Sequence, residues 1–450
     1  MAIKVGMVSL GCPKNQMDAE LMLAKLANAG MEITPDSGLA DVVIVNTCGF
    51  IEDAKKESIE NILEFASLKK EGRIKKIIVT GCMAERYRDE VQKELPECDA
   101  VLGLGANRDI VEVVREVVGG QRVQSFPDKG CWELDGDRLQ TTPSFFAYLR
   151  IADGCDNRCA YCAIPLIRGG LRSRSMESLI EEAQMLARAG VRELVLVAQD
   201  DTAYGCDLYG ESRLPELLEA LCAIDGLHWI RLLYCYPQRI TDRLLGMIRD
   251  QKKIVKYMDI PLQHVSRSVL RRMNRTGDAE SLTRLIAHIR EQVPGIVLRT
   301  TLMTGFPGET EADFEELCAF VKEARFERLG CFAFSPEEGT TAAEMPDQVP
   351  QKVRERRRDI VMEEQLRVVD AYNNAQVGKT FEVLVESFDR YAECWFGRSA
   401  GDAPDIDGKV FFTCPDGVRP KPGTVVNVRI TDTMDWDLMG EYVDEAESAE

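Results

Sequence analysis

Short runs of β-branched and other apolar residues alternate with amphipathic helical segments along most of this chain. In the longer of two such arrays, the candidate strands are 147–152, 193–198, 229–234, 257–261, 296–303 and 329–334. A helical pattern separates most of these strands from the next, which is typical of parallel strands joined by helical crossovers. The array therefore predicts a partial (β/α)6 barrel, and such barrels carry their active groups at the carboxyl ends of the strands.

A shorter array precedes the barrel. Its buried candidate strands are 4–10, 41–46 and 76–80, and a weaker one lies at 99–104. Helical patterns between them predict an N-terminal parallel α/β domain. Residues 119–142 are rich in Gly, Asp, Lys and Pro, and we interpret them as a domain linker.

The C-terminal part of the chain has a different pattern. Candidate strands at 381–386, 409–413 and 425–431 are separated by Gly and Pro turns, which predicts a small β-barrel. The predicted domains are therefore 1–119, 141–376 and 378–446.

Cysteine use narrows the chemistry. The 450 residues include 15 cysteines but only three histidines. We expect a cytoplasmic protein without a membrane partner, because no signal-peptide pattern is present and no apolar run reaches the roughly 18 residues of a membrane span. Cytosolic thiols stay reduced, which favours metal-binding or catalytic roles. The formal net charge of −19 disfavours a broad phosphate-binding surface, although ordinary solubility accounts for it equally well.

Three cysteines follow directly after the first strand of the predicted barrel. They are Cys155, Cys159 and Cys162, in the spacing CxxxCxxC. Three thiolates on one loop can bind three corners of a four-iron cluster and leave the fourth iron open. The alternative is a zinc site or a set of inert thiols, but structural zinc needs four ligands and no fourth candidate stands nearby. The spacing therefore predicts an iron–sulfur cluster.

A second cysteine set lies in the N-terminal domain. Cys12, Cys48 and Cys82 each follow a predicted strand, at intervals of about one βαβ repeat. Neighbouring parallel strands would bring the three sulfurs to the carboxyl edge of the sheet, where open α/β sheets bind ligands. Three separately buried cysteines are the alternative, since cysteine is a common core residue. The placement at strand ends favours a second three-thiolate site.

The first cysteine set resembles that of the radical S-adenosylmethionine superfamily, in which CxxxCxxC with an aromatic residue before the last cysteine opens a partial barrel. The resemblance implies that S-adenosylmethionine binds the open iron and is split by one electron into methionine and a 5′-deoxyadenosyl radical. It also implies that Cys155, Cys159 and Cys162 are catalytic through the cluster, and that Tyr161 lies near the adenine. An electron donor such as flavodoxin or ferredoxin is implied as well.

Further motifs are similar to those of the methylthiotransferase family. They are Cys12, Cys48 and Cys82, the run SLGCPKNQ at 9–16 and the run GFPGE at 305–309. The resemblance implies two [4Fe–4S] clusters, with the second, auxiliary one held by Cys12, Cys48 and Cys82, and a C-terminal TRAM barrel. Family chemistry attaches a sulfur atom and a methyl group at an unactivated C–H position, which only a radical can open.

Members of this family act either on tRNA or on a protein. The runs at 9–16, 199–205 and 258–264 resemble the protein branch, which modifies the β-carbon of an aspartate in the ribosomal small-subunit protein uS12. Residues 378–450 contain 16 Asp and Glu against 7 Lys and Arg, and an acidic barrel repels RNA and attracts a basic protein. The alternatives are a tRNA methylthiotransferase acting on a modified adenosine next to the anticodon, and a non-catalytic iron–sulfur or zinc scaffold.

Other residues are interpreted from their positions alone. Arg299, Gln263 and Gln199 lie near predicted strand ends, where contacts to S-adenosylmethionine or substrate and purely structural hydrogen bonds are equally reasonable. We interpret His264 as a scaffold histidine. Three aromatic residues of the C-terminal domain are assigned to the barrel core instead of to base stacking: Trp395, Phe396 and Phe411.

Overall fold

The structure, a computed structural model, describes residues 2–444. Met1 and residues 445–450, at the outer ends of the first and third predicted domains, lie outside the described residues. None of the described helices is both long enough and apolar enough to cross a membrane.

The N-terminal unit is a six-stranded, fully parallel sheet with helices on both faces, in the strand order β2-β1-β3-β4-β5-β6. Its strands are β1 (Lys4–Ser9), β2 (Glu32–Thr34), β3 (Val42–Thr47), β4 (Lys76–Gly81), β5 (Ala100–Leu102) and β6 (Val123–Ser125). Its helices are α1 (Pro13–Asn28), α2 (Glu52–Lys70), α3 (Cys82–Arg86), α4 (Arg88–Glu94) and α5 (Ile110–Val118). Helices α1 and α5 cover one face and α2 and α4 the other, so β3 is buried along its whole length. The predicted parallel α/β fold is confirmed.

Part of the segment predicted as a linker belongs to the N-terminal unit. Strand β6 pairs with β5, and Trp132 is buried in the core beneath α1 and α5. The indole N–H of Trp132 donates to the carboxylate of Asp18 across 2.7 Å. The linker interpretation was wrong for this stretch, because a short edge strand and one anchoring tryptophan carry little hydrophobic pattern.

The central unit is the predicted partial barrel, and its fold is confirmed. Its strands are β7 (Phe146–Arg150), β8 (Ala152–Asp153), β9 (Arg172–Ser173), β10 (Glu193–Val197), β11 (Trp229–Leu232), β12 (Tyr257–Asp259), β13 (Val297–Thr304) and β14 (Arg328–Ala333). Its helices are α6 (Ile164–Ile167), α7 (Met176–Arg188), α8 (Cys206–Tyr209), α9 (Leu214–Cys222), α10 (Asp242–Asp250), α11 (Arg267–Arg272), α12 (Ala279–Gln292), α13 (Glu311–Ala324) and α14 (Gln351–Asn374). Strands β7, β10 and β11 form one parallel half, and β12, β13 and β14 form the other.

Backbone hydrogen bonds join the two halves into one open arc. The N–H of Val255 donates to the carbonyl of Ile230 across 3.0 Å, and the N–H of Cys235 donates to that of Asp259 across 2.8 Å. The two-residue strands β8 and β9 pair antiparallel and bracket the loop that carries the first cysteine set.

The C-terminal unit is a closed five-stranded barrel in the order β15-β16-β17-β19-β18. Its strands are β15 (Thr380–Asp389), β16 (Cys394–Ser399), β17 (Val410–Thr413), β18 (Val425–Met434) and β19 (Asp437–Val443). Trp395 packs against the barrel core, as predicted. Phe396 and Phe411 are only half-buried and pair with each other outside that core, so their core assignment was wrong. The cross-strand register places the two side chains on the outer face.

The C-terminal barrel packs against the amino ends of the central strands. The loop between β16 and β17 brings Asp402 to Arg328, at 2.6 Å, and Asp407 to the hydroxyl of Tyr257, at 2.7 Å. The N-terminal unit lies at the opposite side, by the carboxyl ends of the central strands, where the first cysteine set lies.

Candidate functional site

The loop with the CxxxCxxC spacing leaves the partial barrel just after β8. Gly154 opens the loop with a φ of 76°. A Cβ on Gly154 would lie 1.9 Å from the carbonyl oxygen of Gly170, so only glycine fits. The N–H of Ala160 donates to the carbonyl of Met273 across 2.9 Å and pins the middle of the loop. The loop carries three half-buried thiols: Cys155, Cys159 and Cys162.

Polar contacts hold the first turn of this loop. The backbone N–H of Asn157 lies 3.5 Å from the sulfur of Cys155 and is oriented to donate to it. The side chain of Asn157 donates to Asp200 across 3.0 Å and accepts from Arg239 across 2.8 Å. Since Asp200 and Arg239 follow different barrel strands, the orientation of the loop depends on the barrel and not on its own sequence alone.

A buried arginine lies against the same cysteine set. The guanidinium of Arg275 is 3.8 Å from the sulfur of Cys159 and 3.5 Å from the hydroxyl of Tyr161. It donates to the carbonyl of Pro261 across 2.7 Å and lies 4.5 Å from the ring centre of Tyr236. Tyr161 thus has a defined place beside the loop, and its position near an adenine stays a prediction.

The second cysteine set lies where the sequence predicted it, at one edge of the N-terminal sheet. Strands β1, β3 and β4 are neighbours, and their ends are aligned by the pairs Ser9–Asn46 and Asn46–Thr80. The residues that follow these strands at that edge include Cys12, Cys48 and Cys82. A Cβ on Gly11 would lie 2.8 Å from the sulfur of Cys48, so the first loop runs directly against the second cysteine.

Asn15 ties the loops of this second set together. Its amide N–H₂ donates to the carbonyls of Leu10, at 2.7 Å, and Asn46, at 3.2 Å. Its amide oxygen lies 3.9 Å from the sulfur of Cys82 and can accept from the thiol. The side chain therefore links all three strand ends from one position.

The two cysteine sets belong to different domains but share an apolar wall. Helix α6 begins two residues after Cys162 and packs Ile167 against the N-terminal unit. Ala163, Ile167, Cys82 and Leu104 form one small buried cluster. The loop that carries the first set thus continues directly into a segment that packs against Cys82 of the second set.

Arg168 crosses the same boundary. It is almost fully buried, and its guanidinium lies 3.6 Å from the sulfur of Cys82 and 3.4 Å from the amide oxygen of Asn15. It also forms ion pairs with Asp18, at 2.8 Å, and Asp153, at 3.1 Å. One side chain from the barrel therefore donates to a thiol and to a carboxylate of the N-terminal unit.

Burial controls the protonation of the thiols. Burial raises the pKa of the Cys82 thiol and the pKa of the Cys162 thiol to about 12. It also raises the pKa values of the Cys48 and Cys155 thiols above the ordinary value of a cysteine. Without a bound cation these four thiols stay protonated at neutral pH. A metal group must therefore displace protons in order to bind.

The donor sets fit four-iron clusters better than single ions. Within residues 2–444, no group of three His, Cys, Asp or Glu side chains forms a site for one metal ion. A cubane cluster holds its thiolates farther apart than one tetrahedral ion does, because each thiolate binds a different iron. Each set supplies three thiols and no carboxylate or imidazole, and this donor chemistry suits a four-iron cluster with one open iron. The six ligand assignments stay predictions.

Two of the residues interpreted from position alone make structural contacts. Arg299 lies 3.5 Å from Asp259 and 3.4 Å from Asp407, so it helps to anchor the C-terminal barrel. Gln199 donates to Asp153 across 2.9 Å, next to the cysteine loop.

His264 is buried, and its Nδ1 accepts from the N–H of Ser266 across 3.0 Å. Its other ring nitrogen lies 3.5 Å from Glu309, whose carboxylate also accepts from the N–H of Gly305 across 2.7 Å. These contacts agree with a scaffold histidine. Gln263 joins β13 through backbone hydrogen bonds.

Sequence reasoning missed the residues around the cysteines. Lys14 is buried, donates to the carbonyl of Ala198 across 3.1 Å and lies 4.0 Å from the ring centre of Tyr234. Lys14 and Asn15 do belong to a run that the sequence singled out. Arg168 and Arg275 carry no local signal, because only the tertiary fold brings them to the sulfurs.

Comparison with known proteins first gives the class. Residues 4–103 match the Uncharacterized protein family UPF0004, residues 149–321 the Radical SAM superfamily and residues 377–443 the TRAM domain. The chain resembles in fold the solved structure of the radical S-adenosylmethionine methyltransferase TsrM from Kitasatospora setae, with a TM-score of 0.55. The two sequences are 14% identical, and the match covers 76% of this chain and 77% of that chain. The chain is a radical S-adenosylmethionine protein with an added N-terminal domain and a TRAM barrel.

Full-length relatives then give the family. The chain is 50% identical to the ribosomal protein uS12 methylthiotransferase RimO of Pelotomaculum thermopropionicum, over 98% of this chain and all of the relative. It is 46% identical to the RimO protein of Lachnoclostridium phytofermentans, over 97% of this chain and 99% of the relative. The chain belongs to the RimO family of ribosomal protein uS12 methylthiotransferases.

Proposed function

We propose that this chain is an enzyme that adds a methylthio group to the β-carbon of an aspartate in ribosomal protein uS12. The buried contact between Cys82 and residues 163–168, which directly follow Cys162, carries this proposal, in a chain that matches RimO proteins over nearly its whole length. A radical centre and a sulfur-holding centre have to share an enclosed space, because a radical that meets solvent is lost to side reactions.

Each cysteine set has one task in this proposal. Cys155, Cys159 and Cys162 would hold the [4Fe–4S] cluster that binds S-adenosylmethionine, and Cys12, Cys48 and Cys82 would hold the auxiliary [4Fe–4S] cluster. Once bound, the clusters and S-adenosylmethionine would supply a radical that removes a hydrogen atom from carbon. They would also supply the sulfur atom and the methyl group that replace this hydrogen. No side-chain base could open such a C–H bond, since the hydrogen is not acidic.

The chain's own residues position the two sites and exclude water. The hydrogen bond from Ala160 to Met273 fixes the first loop on the barrel. Asn15 and Arg168 hold the edge of the second site against the barrel. The apolar contact of Ile167 with Leu104 closes the boundary beside Cys82.

Charge favours a basic protein substrate over tRNA, though less than composition alone indicates. At least three acidic groups of the C-terminal barrel are paired within the chain: Asp402 with Arg328, Asp407 with Arg299 and Glu386 with Arg398. The remaining excess of carboxylates still disfavours a phosphate backbone. We further propose that the chain acts in the cytoplasm with an electron donor such as flavodoxin or ferredoxin.

The test is an anaerobic assay of the cluster-loaded chain with S-adenosylmethionine, a reductant and purified uS12. The expected result is a gain of one CH₂S unit on a single aspartate, detected by peptide mass spectrometry. An anticodon stem-loop serves as the competing substrate in the same assay. Methylthiolation of the RNA with uS12 unchanged would favour the tRNA alternative, and zinc without acid-labile sulfide in the purified chain would favour the scaffold.

A further inference from the structure

Most buried arginines of this chain are neutralised by carboxylates. Arg150, for example, pairs with Asp18 at 2.5 Å, and Arg231 pairs with Glu193 at 2.8 Å. Arg354 has no acidic partner within residues 2–444, but its guanidinium donates to two backbone carbonyls and to one glutamine side chain. This pattern is expected, because a buried guanidinium without compensation is costly.

Arg275 departs from this pattern. It is 7% exposed, and no ion pair joins it to a carboxylate in the described part of the chain. Its shortest hydrogen bond among the described residues is to the carbonyl of Pro261, at 2.7 Å. Its other neighbours are the sulfur of Cys159, the hydroxyl of Tyr161 and the ring of Tyr236. The positive charge thus faces the thiol of Cys159 and two tyrosine side chains instead of an acid.

We propose that Arg275 is the counter-ion of the cluster held by Cys155, Cys159 and Cys162, and that it raises the reduction potential of that cluster. The proposal rests on the ligand assignment made under the proposed function. Three thiolates make the cluster anionic, and reduction adds one more negative charge. A fixed cation that also donates to a ligand sulfur therefore stabilises the reduced form more than the oxidised form.

Arg168 provides the internal comparison. It lies at a similar distance from a sulfur of the second set, 3.6 Å from Cys82. Its charge, however, is balanced by ion pairs with Asp18 and Asp153. Arg168 therefore joins two domains, whereas the charge of Arg275 is available to the cluster. Both act through a ligand and are positioning residues.

The experiment uses the full-length chain with Cys12, Cys48 and Cys82 changed to alanine, so that only the first site is loaded. The midpoint potential is measured by an EPR-monitored titration without S-adenosylmethionine or substrate, alongside iron and sulfide content. Arg275→Met removes the charge, Arg275→Lys keeps it, and Arg271→Met removes the same charge from the exposed surface of nearby helix α11. Because no turnover is measured, failure of the proposed methylthiolation would leave the result intact.

Arg275→Met should lower the equilibrium constant for one-electron reduction about tenfold or more, equivalent to about 59 mV. Arg275→Lys should retain most of the parent potential, and Arg271→Met should match the parent. Loss of iron from Arg275→Met alone, with Arg275→Lys fully loaded, would equally support a counter-ion. The proposal would be overturned by an unchanged potential in Arg275→Met, or by loss of iron from both Arg275 variants. A fall of the potential in Arg275→Lys or in Arg271→Met as large as that in Arg275→Met would also overturn it.

Discussion

The guanidinium of Arg168 lies 3.6 Å from the sulfur of Cys82, although the two residues belong to different domains and are 86 positions apart. The contact is held by ion pairs on both sides of the boundary, to Asp18 of the N-terminal unit and to Asp153 of the barrel. The contact between the two domains beside Cys82 thus includes a buried polar junction.

Arg168→Met should destabilise the chain by about 3 kcal/mol, because it leaves two buried carboxylates with less compensation. Urea unfolding of the cluster-free chain, followed by tryptophan fluorescence, measures the effect, since Trp132 donates to Asp18. Arg284→Met is the matched control, as Arg284 pairs with Glu280 on the exposed surface. If both variants unfold at the same urea concentration, the junction does not stabilise the chain.

The sequence predicted most clearly the strand whose burial is complete. Strand β3 is buried along its whole length, and its continuous apolar run reveals it directly. Strand β2 is half-exposed and β6 is only three residues long, so their patterns are weak. The C-terminal barrel was predicted from three of its five strands, and β16 was missed because burial does not alternate along it.

The meeting of Cys12, Cys48 and Cys82 was predictable for a geometric reason that does not extend to their neighbours. Parallel strands share an edge, so residues that follow strand ends come together whatever the rest of the fold does. Arg275 lies 116 residues from Cys159, and Arg168 lies 153 residues from Asn15. Such contacts are decided by how domains and loops pack, and no local pattern encodes them.

Single cysteine variants should separate the two sites. Cys159→Ala should abolish formation of 5′-deoxyadenosine, because the cluster that receives S-adenosylmethionine loses a ligand. Cys48→Ala should abolish methylthiolation but leave some cleavage of S-adenosylmethionine. Chromatography of 5′-deoxyadenosine, with iron analysis of each variant, checks both outcomes, and Cys222→Ala serves as a control outside both sets. Equal and complete loss of cleavage in the two variants would contradict separate roles.

Gly154→Ala should prevent loading of the first site. The new Cβ would meet the carbonyl oxygen of Gly170 at 1.9 Å, so the cysteine loop has to move. We expect reconstituted protein to lose about half of its iron, since each site binds one four-iron cluster. Gly190→Ala is the control, because Gly190 also has a positive φ, 103°, but its Cβ would meet no atom of residues 2–444 within 4 Å. Equal iron in the two variants would show that the close approach does not constrain the loop.

Glu193 should make the docking of the C-terminal barrel sensitive to acid. Its carboxylate is fully buried and pairs with Arg231 at 2.8 Å and with Arg398 at 2.7 Å. Burial alone would raise the pKa of Glu193, but the two guanidinium groups hold it below the ordinary value. A carboxyl whose pKa is lower in the folded chain stabilises it at pH values above the unfolded pKa of about 4.3, and this stabilisation is lost as the pH falls towards the folded pKa.

Glu193→Gln should therefore lower the unfolding midpoint at pH 7, by an amount that shrinks as the pH falls below about 4.3. The glutamine cannot titrate, so the variant and the parent should converge in acid. Thermal unfolding of the cluster-free chain between pH 7 and pH 3 measures the difference in unfolding midpoint. Glu382→Gln is the control, because Glu382 is exposed on the C-terminal barrel beside His228. A difference that is constant across this range would mean that Glu193 acts through packing and hydrogen bonding, and not through its charge.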